Sequence, residues 1–499
     1  MKKSRVFTRV LLVILSLSLL LAVFVGCDKD TKDPSGGETG EATTPSTAHL
    51  YDDEGYLKDQ LPEDLNFDRE LDILCWNSAA NEFACDEFNG TAINDALVRR
   101  DISVEERLGV ELNYLMDKLG TGSVTETSHY IKLVQSANQT GEPFDLLALY
   151  GRTAAILSYQ GYLENILSIE KSYLNLENPW WTGNLFEELR VGNSLYLLSG
   201  DISPSIYEQP YILFYNADMV ESFGLKDPYQ CVQDNEWTLE TFRTYTKDVT
   251  VTPNGAKGYG YTASRSNVPS LIHGCDIMLM DLDENAIPKI SDDLYSEKTI
   301  DIIDDLQEWA KEDAYMIAMS AAEARAPFVS GETLFLSDRI IECFNFVESC
   351  TFGYSVAPTP KYDSAQERYY TTLDTQLTFY CLMKGLSDDD LSMLTAVLEC
   401  MGSEGYRTSS PAVLETCLMS RYARSEQMSE MLRLCVDSVY YDFGRIYSSS
   451  DNKYLCDRPG IIIHAGTTSW SSYLVSDMPS IAAQFQSIID KFIEMENAE

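Results

Sequence analysis

Residues 144–152 read Phe-Asp-Leu-Leu-Ala-Leu-Tyr-Gly-Arg. The part 144–149 is nearly all apolar, which is what a strand needs when both of its faces are covered, as in a parallel sheet. Two more strand-like runs precede it, residues 71–76 (LDILCW) and 110–115 (VELNYL). Between those two, Ile93, Leu97, Val104 and Leu108 recur at spacings of four, seven and four, a helical period. Tyr130, Val134 and Ala137 mark a second helix ahead of residue 144. Strand and helix in alternation predict an α/β fold built on a parallel sheet.

Toward the C-terminus, residues 194–199 and 211–215 (YILFY) are predicted strands. Thr238 is placed to cap a helix, its hydroxyl accepting from the free N–H groups of the first turn. Residues 300–310 form a helix pattern with Ile303, Leu306 and Ala310 on one face. Strand character returns at TLFL (333–336), at 352–360, which two prolines close, and at 376–382. The last third reads as helical. Its final helix follows Pro479 and carries the stripe Ile481, Phe485, Ile488 and Phe492. No internal repeat is present.

The N-terminus states a location. Lys2, Lys3, Arg5 and Arg9 precede an apolar run, residues 10–25, and then Gly26-Cys27. This is the pattern of a secretory signal, and the run is shorter than the roughly 20 residues a spanning helix needs. The Val-Gly-Cys ending resembles a bacterial lipobox, in which the cysteine becomes the lipidated N-terminus; Phe24 stands where such boxes usually carry Leu. An ordinary signal peptide is the alternative. Residues 28–51 are rich in Asp, Glu, Gly, Ser, Thr and Pro and poor in anything to bury. A disordered tether is expected there, carried to residue 65. Roughly 430 residues remain to fold.

Composition excludes more than it assigns. The net charge of −41 repels nucleic acid and anionic headgroups. His49, His129, His273 and His464 are far apart, which argues against a histidine zinc site. The twelve cysteines show no C-x-x-C and, apart from Cys27, read as buried thiols, with Cys343–Cys350 the one bridge considered. Asp281-Leu282-Asp283-Glu284-Asn285 looks like the start of a calcium loop, but Ala286 and Asp292 occupy its sixth and twelfth places. No metal or cofactor is expected. No G-x-S-x-G, H-E-x-x-H or Walker loop occurs. Among 78 acidic residues a glycosidase-like carboxylate pair would arise by chance.

The order of these pieces resembles the bacterial extracellular solute-binding lipoproteins of ABC importers, of the maltose-binding type (family 1). The pieces are Trp76-Asn77 after the first strand, FDLLALYGR before YLENI, and GDIS at 200–203. Further along come YILFYNADM, EWTLETF, FVSGETLFL and FGYSVAPTPKYD. The resemblance implies a two-lobe periplasmic-binding-protein-like fold of type II, with crossing hinge strands near 207–209 and 372–376. It divides the chain into 66–206 with 375–423 as lobe one and 207–374 with 424–499 as lobe two. It further implies a monomer that captures a carbohydrate between the lobes and passes it to the membrane subunits of an importer, with no catalysis.

Sugars need aromatic platforms for their ring faces and planar polar groups for their hydroxyls. The candidates are Trp76, Asn77 and Asn81 after the first strand, and Tyr150 and Arg152 after the third, with Gly151 allowing close approach. Trp181 is one of a tryptophan pair, and Asp201, after the strand ending at Gly200, could accept from two sugar hydroxyls or else serve a turn or cap. Tyr207 and Glu208 lie near the implied hinge. Phe344 (with Phe346) and Trp470 stand where the family has later platforms. Each aromatic has a core position as its other reading, and Arg152 a salt bridge. A peptide or other polar metabolite is the alternative ligand, with Arg152 holding a carboxylate. A surface scaffold and a secreted glycoside-active enzyme are the remaining classes.

Overall fold

The computed structural model describes residues 50–85, 87–116 and 123–498. The signal-like segment, Cys27 and residues 28–49 lie outside the described residues. Thirteen strands occur among those described: β1 (Arg69–Cys75), β2 (Val110–Met116), β3 (Leu146–Tyr150), β4 (Tyr211–Asn216), β5 (Tyr259–Ser264), β6 (Met280–Leu282), β7 (Pro288–Ile290), β8 (Tyr315–Ala318), β9 (Thr333–Arg339), β10 (Tyr354–Ala357), β11 (Thr371–Thr372), β12 (Thr378–Cys381) and β13 (Val439–Tyr440). They make two principal sheets, in the orders β12-β3-β1-β2 and β10-β4-β9-β5-β8.

The first sheet is what the apolar runs require. β1 pairs in parallel with β2 and β3, matching Ile73 to Tyr114 and to Leu146. All five residues of β3 are buried. The helix Ala92–Leu108 returns the chain between β1 and β2 and buries Leu97, Val104 and Leu108, the predicted stripe. In the second sheet β5, β8 and β9 run parallel, while β4 runs antiparallel to β9 and β10 antiparallel to β4.

Two segments cross between the sheets side by side. Pro210 and Leu373 form an antiparallel bridge, and Asp374 N–H donates to the Gln209 carbonyl (3.1 Å). Thr378 N–H donates to Ser205 Oγ (3.1 Å). Gly151 sits against the second crossing segment. A Cβ there would come within 2.9 Å of the Thr375 carbonyl oxygen, so only glycine lets β3 end this close.

Several expectations are corrected. Residues 194–199 form no strand and pair only as isolated bridges, Ser194 with Val191 and Leu198 with Tyr380. The ladder stops because Leu195 N–H goes to Asn165 Oδ1 and Ser199 Oγ donates to the Thr378 carbonyl. β5 and β8 went unread: YGYTAS and YMIA are short and carry little apolar pattern. Gly260 belongs in β5 because a Cβ there would lie 2.0 Å from the Thr246 carbonyl oxygen. Residues 50–65, expected in the tether, dock on the body. Leu61 is buried and Arg107 Nη2 donates to the carbonyls of Leu61 and Pro62 (3.1 and 3.0 Å). The calcium-like residues form a β6–β7 hairpin, in which Asp283 Oδ1 accepts from the N–H groups of Asn285 and Ile287. Among the described residues no two cysteines are joined in a disulfide, Cys343 and Cys350 included.

Thr238 does cap its helix, accepting from Thr241 N–H (3.3 Å). The last helix, Met478–Glu496, buries Ile481, Phe485, Ile488 and Phe492. Phe492 stacks on Tyr196 (ring centroids 5.3 Å apart), so this helix, grouped with the second lobe from sequence, also packs on the first.

Candidate functional site

Every parallel strand but β2 delivers its C-terminal end to one line of connected cavities. Ligands of open α/β sheets bind at such ends. β1 contributes Trp76, Asn81 and Glu82; β3 contributes Tyr150 and Arg152; β5 contributes Ser264 and Asn267; β8 contributes Ser320; β9 contributes Arg339 and Phe344. The crossing segments add Glu208, Asp374 and Gln376.

The line has three chambers. One of about 590 Å³ is bordered by Trp76, Glu82, Glu208, Arg339 and Phe344. Arg339 and Gln376 also border the next, about 310 Å³, with Tyr150, Arg152, Asp374, Arg445 and Asp457. Tyr150 and Arg152 lead on to a third of about 200 Å³, beside Tyr159 and Tyr454.

In the first chamber Trp76 is fixed on two sides. Its indole N–H donates to Thr378 Oγ1 (2.9 Å) and its ring stacks on Tyr150, 5.3 Å between centroids. Phe344 is half-buried and leans on Tyr422, 4.9 Å away. Glu82 Oε2 accepts from Thr378 Oγ1 (2.9 Å), while buried Oε1 has no hydrogen-bond partner. Burial lifts Glu82 to about 7. Burial, and then the neighbouring Glu82, lift Glu208 to about 8. Two carboxyls that hold protons near neutrality can each donate to, and accept from, a hydroxyl. A glycosidase needs its pair pushed apart, one acid and one ionised; this pair is pushed the same way.

The second chamber is charged. Arg152 Nη2 donates to Asp457 Oδ2 (3.1 Å), its guanidinium lies over Tyr454 (4.9 Å), and its buried Nε has no partner. Arg339 donates to Gln209 Oε1 (3.0 Å) and pairs with Asp374 (3.5 Å). Against the pull of burial, Arg339 and Arg445 hold Asp374 below the usual carboxylate range. Among the described residues no group of three or more His, Cys, Asp or Glu is placed to hold a metal ion.

The structure thus brings Trp76, Asn81, Tyr150, Arg152, Glu208 and Phe344 to one cleft and leaves the other candidates outside it. Trp470 is fully buried, stacks on Tyr473 and donates to the Leu294 carbonyl (2.9 Å). Trp181 is buried, its N–H held by Glu399 Oε2 (2.8 Å). Both are packing residues, because a large apolar ring with its one donor satisfied gains most by leaving water. Asp201 is buried and accepts from the hydroxyls of Tyr207 and Ser410, which ties down Tyr207 as well; burial raises Asp201 to about 6. Asn77 is half-buried in a short turn and borders none of the chambers. Phe346 is core, edge-on to Phe214.

Residues missed from sequence were Glu82, Arg339, Asp374, Gln376 and Arg445. Glu82 stands one residue past Asn81, so following the chain one step further beyond β1 would have reached it. Arg339 was lost because β9 was ended at Leu336. Arg445 gave no signal.

These features define a mixed α/β, two-lobe periplasmic-binding-protein fold. No protein-family model and no curated protein matches this chain. Solved structures do. A cyclo/maltodextrin-binding protein complexed with maltotetraose matches at TM-score 0.54 and 12% identity, over 85% of this chain and 99% of that one. The extracellular solute-binding protein of Staphylococcus aureus in complex with maltose matches at 0.53 and 11%, over 88% and 99%. An ABC substrate-binding protein of Listeria monocytogenes in complex with cycloalternan matches at 0.51 and 11%, over 85% and 99%. At these identities the likeness is one of fold.

Proposed function

We propose that this chain is an extracellular solute-binding receptor that captures a carbohydrate between its lobes and hands it to an ABC importer. The observation that carries the reading is the convergence of strand ends from both sheets on one cleft whose first chamber is bordered by both Trp76 and Phe344. Aromatic walls suit sugar ring faces, and Asn81, Glu82, Glu208 and Gln376 suit hydroxyls. That the fold's neighbours hold maltotetraose, maltose and cycloalternan supports the class of ligand. The connected chambers favour an oligosaccharide over a single ring.

Lobe one would be residues 66–206 with 375–423, and lobe two 207–374 with 424–499, hinged at 207–209 and 372–376. Closure follows only if the ligand touches both lobes, since a ligand shifts an equilibrium by its differential affinity for the two states. The chain would act as a monomer on the outer face of the membrane, held by lipid on Cys27. Replacement C27S is expected to abolish incorporation of labelled palmitate and release the protein to the medium; retention of the label would remove the anchor from the account.

The test is thermal unfolding of the full chain in mild detergent against oligosaccharides, peptides and polar metabolites. A ligand that binds only the folded form raises the midpoint by mass action. A rise with one glycan class, and that glycan recovered uncut, is the expected result. A rise with peptides alone would keep a receptor and discard the sugar, and a cut glycan would make the chain an enzyme.

A further inference from the structure

The second chamber has more positive than negative groups in its walls, in a protein whose overall charge is −41. Three guanidiniums, Arg152, Arg339 and Arg445, face two carboxylates, Asp374 and Asp457. Two of the arginines are paired: Arg152 with Asp457 at 3.1 Å, and Arg339 with Asp374 at 3.5 Å. Arg445 is not. Only 5% of it is exposed, its Nε donates to the Leu373 carbonyl (2.5 Å), and its guanidinium lies 5.5 Å from the Tyr211 ring centroid. Among the described residues no carboxylate comes within 4.0 Å of it. The nearest acids, Asp374 and Asp457, make their direct pairs with Arg339 and Arg152, so Arg445 is a buried guanidinium with no ion pair of its own, and such a group at the wall of a cavity favours an anion there. The helix Ala321–Val329 starts at the same wall, with Ser320 and Ala321 bordering the chamber, and a helix start favours negative charge.

We propose that this chamber receives an anionic oxygen substituent of the ligand, so that the captured carbohydrate is an acidic one: a uronic acid bearing a carboxylate, or a sugar bearing a sulfate or phosphate ester. The inference rests on the carbohydrate reading of the cleft and adds the charge of the ligand. Planar guanidiniums match all three anions through paired N–H donors. The position matters as much as the charge. Arg152 follows β3 of the first sheet, whereas Arg445 lies beyond the second crossing segment and grips it through Leu373. An anion held by both would couple its own recognition to closure, because the second guanidinium is engaged only when the lobes meet. Trp76 and Phe344 would hold the neutral part of the same molecule one chamber away.

The experiment is calorimetric titration of the full chain in mild detergent with matched trisaccharides of the gluco, manno and galacto series. Each is offered as the uronate, as its carboxyl-reduced neutral counterpart, and as the neutral sugar carrying one sulfate or one phosphate. The expected result is that a charged member binds roughly ten-fold to a hundred-fold more tightly than its neutral twin, the range for a hydrogen-bonded charge. Preference for the uronate, the sulfate or the phosphate identifies the substituent. R445Q should erase the preference and R445K keep part of it. R152Q, at the more open rim, should lower the preference too, and it serves if R445Q does not fold. Neutral sugars binding as tightly as charged ones, or an unaltered preference in both R445Q and R152Q, overturns the proposal and leaves the receptor standing. No binding of any sugar, charged or neutral, overturns both.

Discussion

The two larger chambers of the cleft differ in what they hold although Arg339 and Gln376 border both. Around Trp76 two aromatic rings, Trp76 and Phe344, stand among mostly polar residues, and the carboxyls of Glu82 and Glu208 are pushed toward their neutral forms by burial. Around Arg445 the walls are ionic, and Asp374 is held in its charged form by Arg339 and Arg445. The difference lies in what each buried charge finds beside it. Glu82 and Glu208 are both desolvated, and the charge of Glu82 adds to the lift of Glu208. Asp374 is as deeply placed but has guanidiniums for neighbours, which outweigh the same desolvation. One chamber therefore presents hydroxyl-like donors and acceptors, and the other presents fixed charge.

The largest expected effect separates core aromatics from wall aromatics. W470A, which empties a fully buried site and strands the Leu294 carbonyl, should cost about 3–5 kcal/mol of stability, read by chemical denaturation, with ligand affinity of the folded protein unchanged. W76A should also lose stability, since Trp76 is buried too, but in addition the folded protein should lose about 2–4 kcal/mol of binding in calorimetry. Equal ligand affinity in W76A and the parent would move the sugar out of the first chamber.

A smaller effect concerns pH. A carboxyl whose folded pKa is raised keeps more protons folded than unfolded, so stability falls as pH rises from its ordinary value near 4.5 to the folded value. For Glu208 that window runs from about 4.5 to about 8. E208Q should accordingly be near neutral in effect at the lower end and stabilising by roughly 1–3 kcal/mol above it. E82Q should behave alike over a window ending at about 7, with a smaller gain because Thr378 already donates to its carboxylate. Denaturant midpoints across pH check both, and a stabilisation independent of pH would contradict the account of the pair.

Much of the first sheet was readable in the sequence because β3 is buried on both faces and so spells a continuous apolar run, while β1 and β2 flank a clear helical period. β5 and β8 were not, since Gly260, Thr262 and Ser264 are chosen by close packing and by the cleft rather than by hydrophobic pattern. For the site, strand ends located Trp76, Tyr150 and Arg152 because position alone predicts them. Trp181, Asp201 and Trp470 misled because an aromatic ring or a carboxylate looks the same in a sequence whether it packs or binds. Arg445 was invisible for a related reason. Its role comes from having no ion pair of its own while Asp374 and Asp457 pair with other arginines, and that is a property of three-dimensional neighbours.

The most direct test is a crystal structure of this protein with the oligosaccharide that most raises its unfolding midpoint. The account predicts one sugar ring between Trp76 and Phe344, the chain running past Arg339 toward Arg152 and Arg445, and every glycosidic bond intact. A ligand bound outside the line of strand ends, or a cleaved product within it, would contradict it.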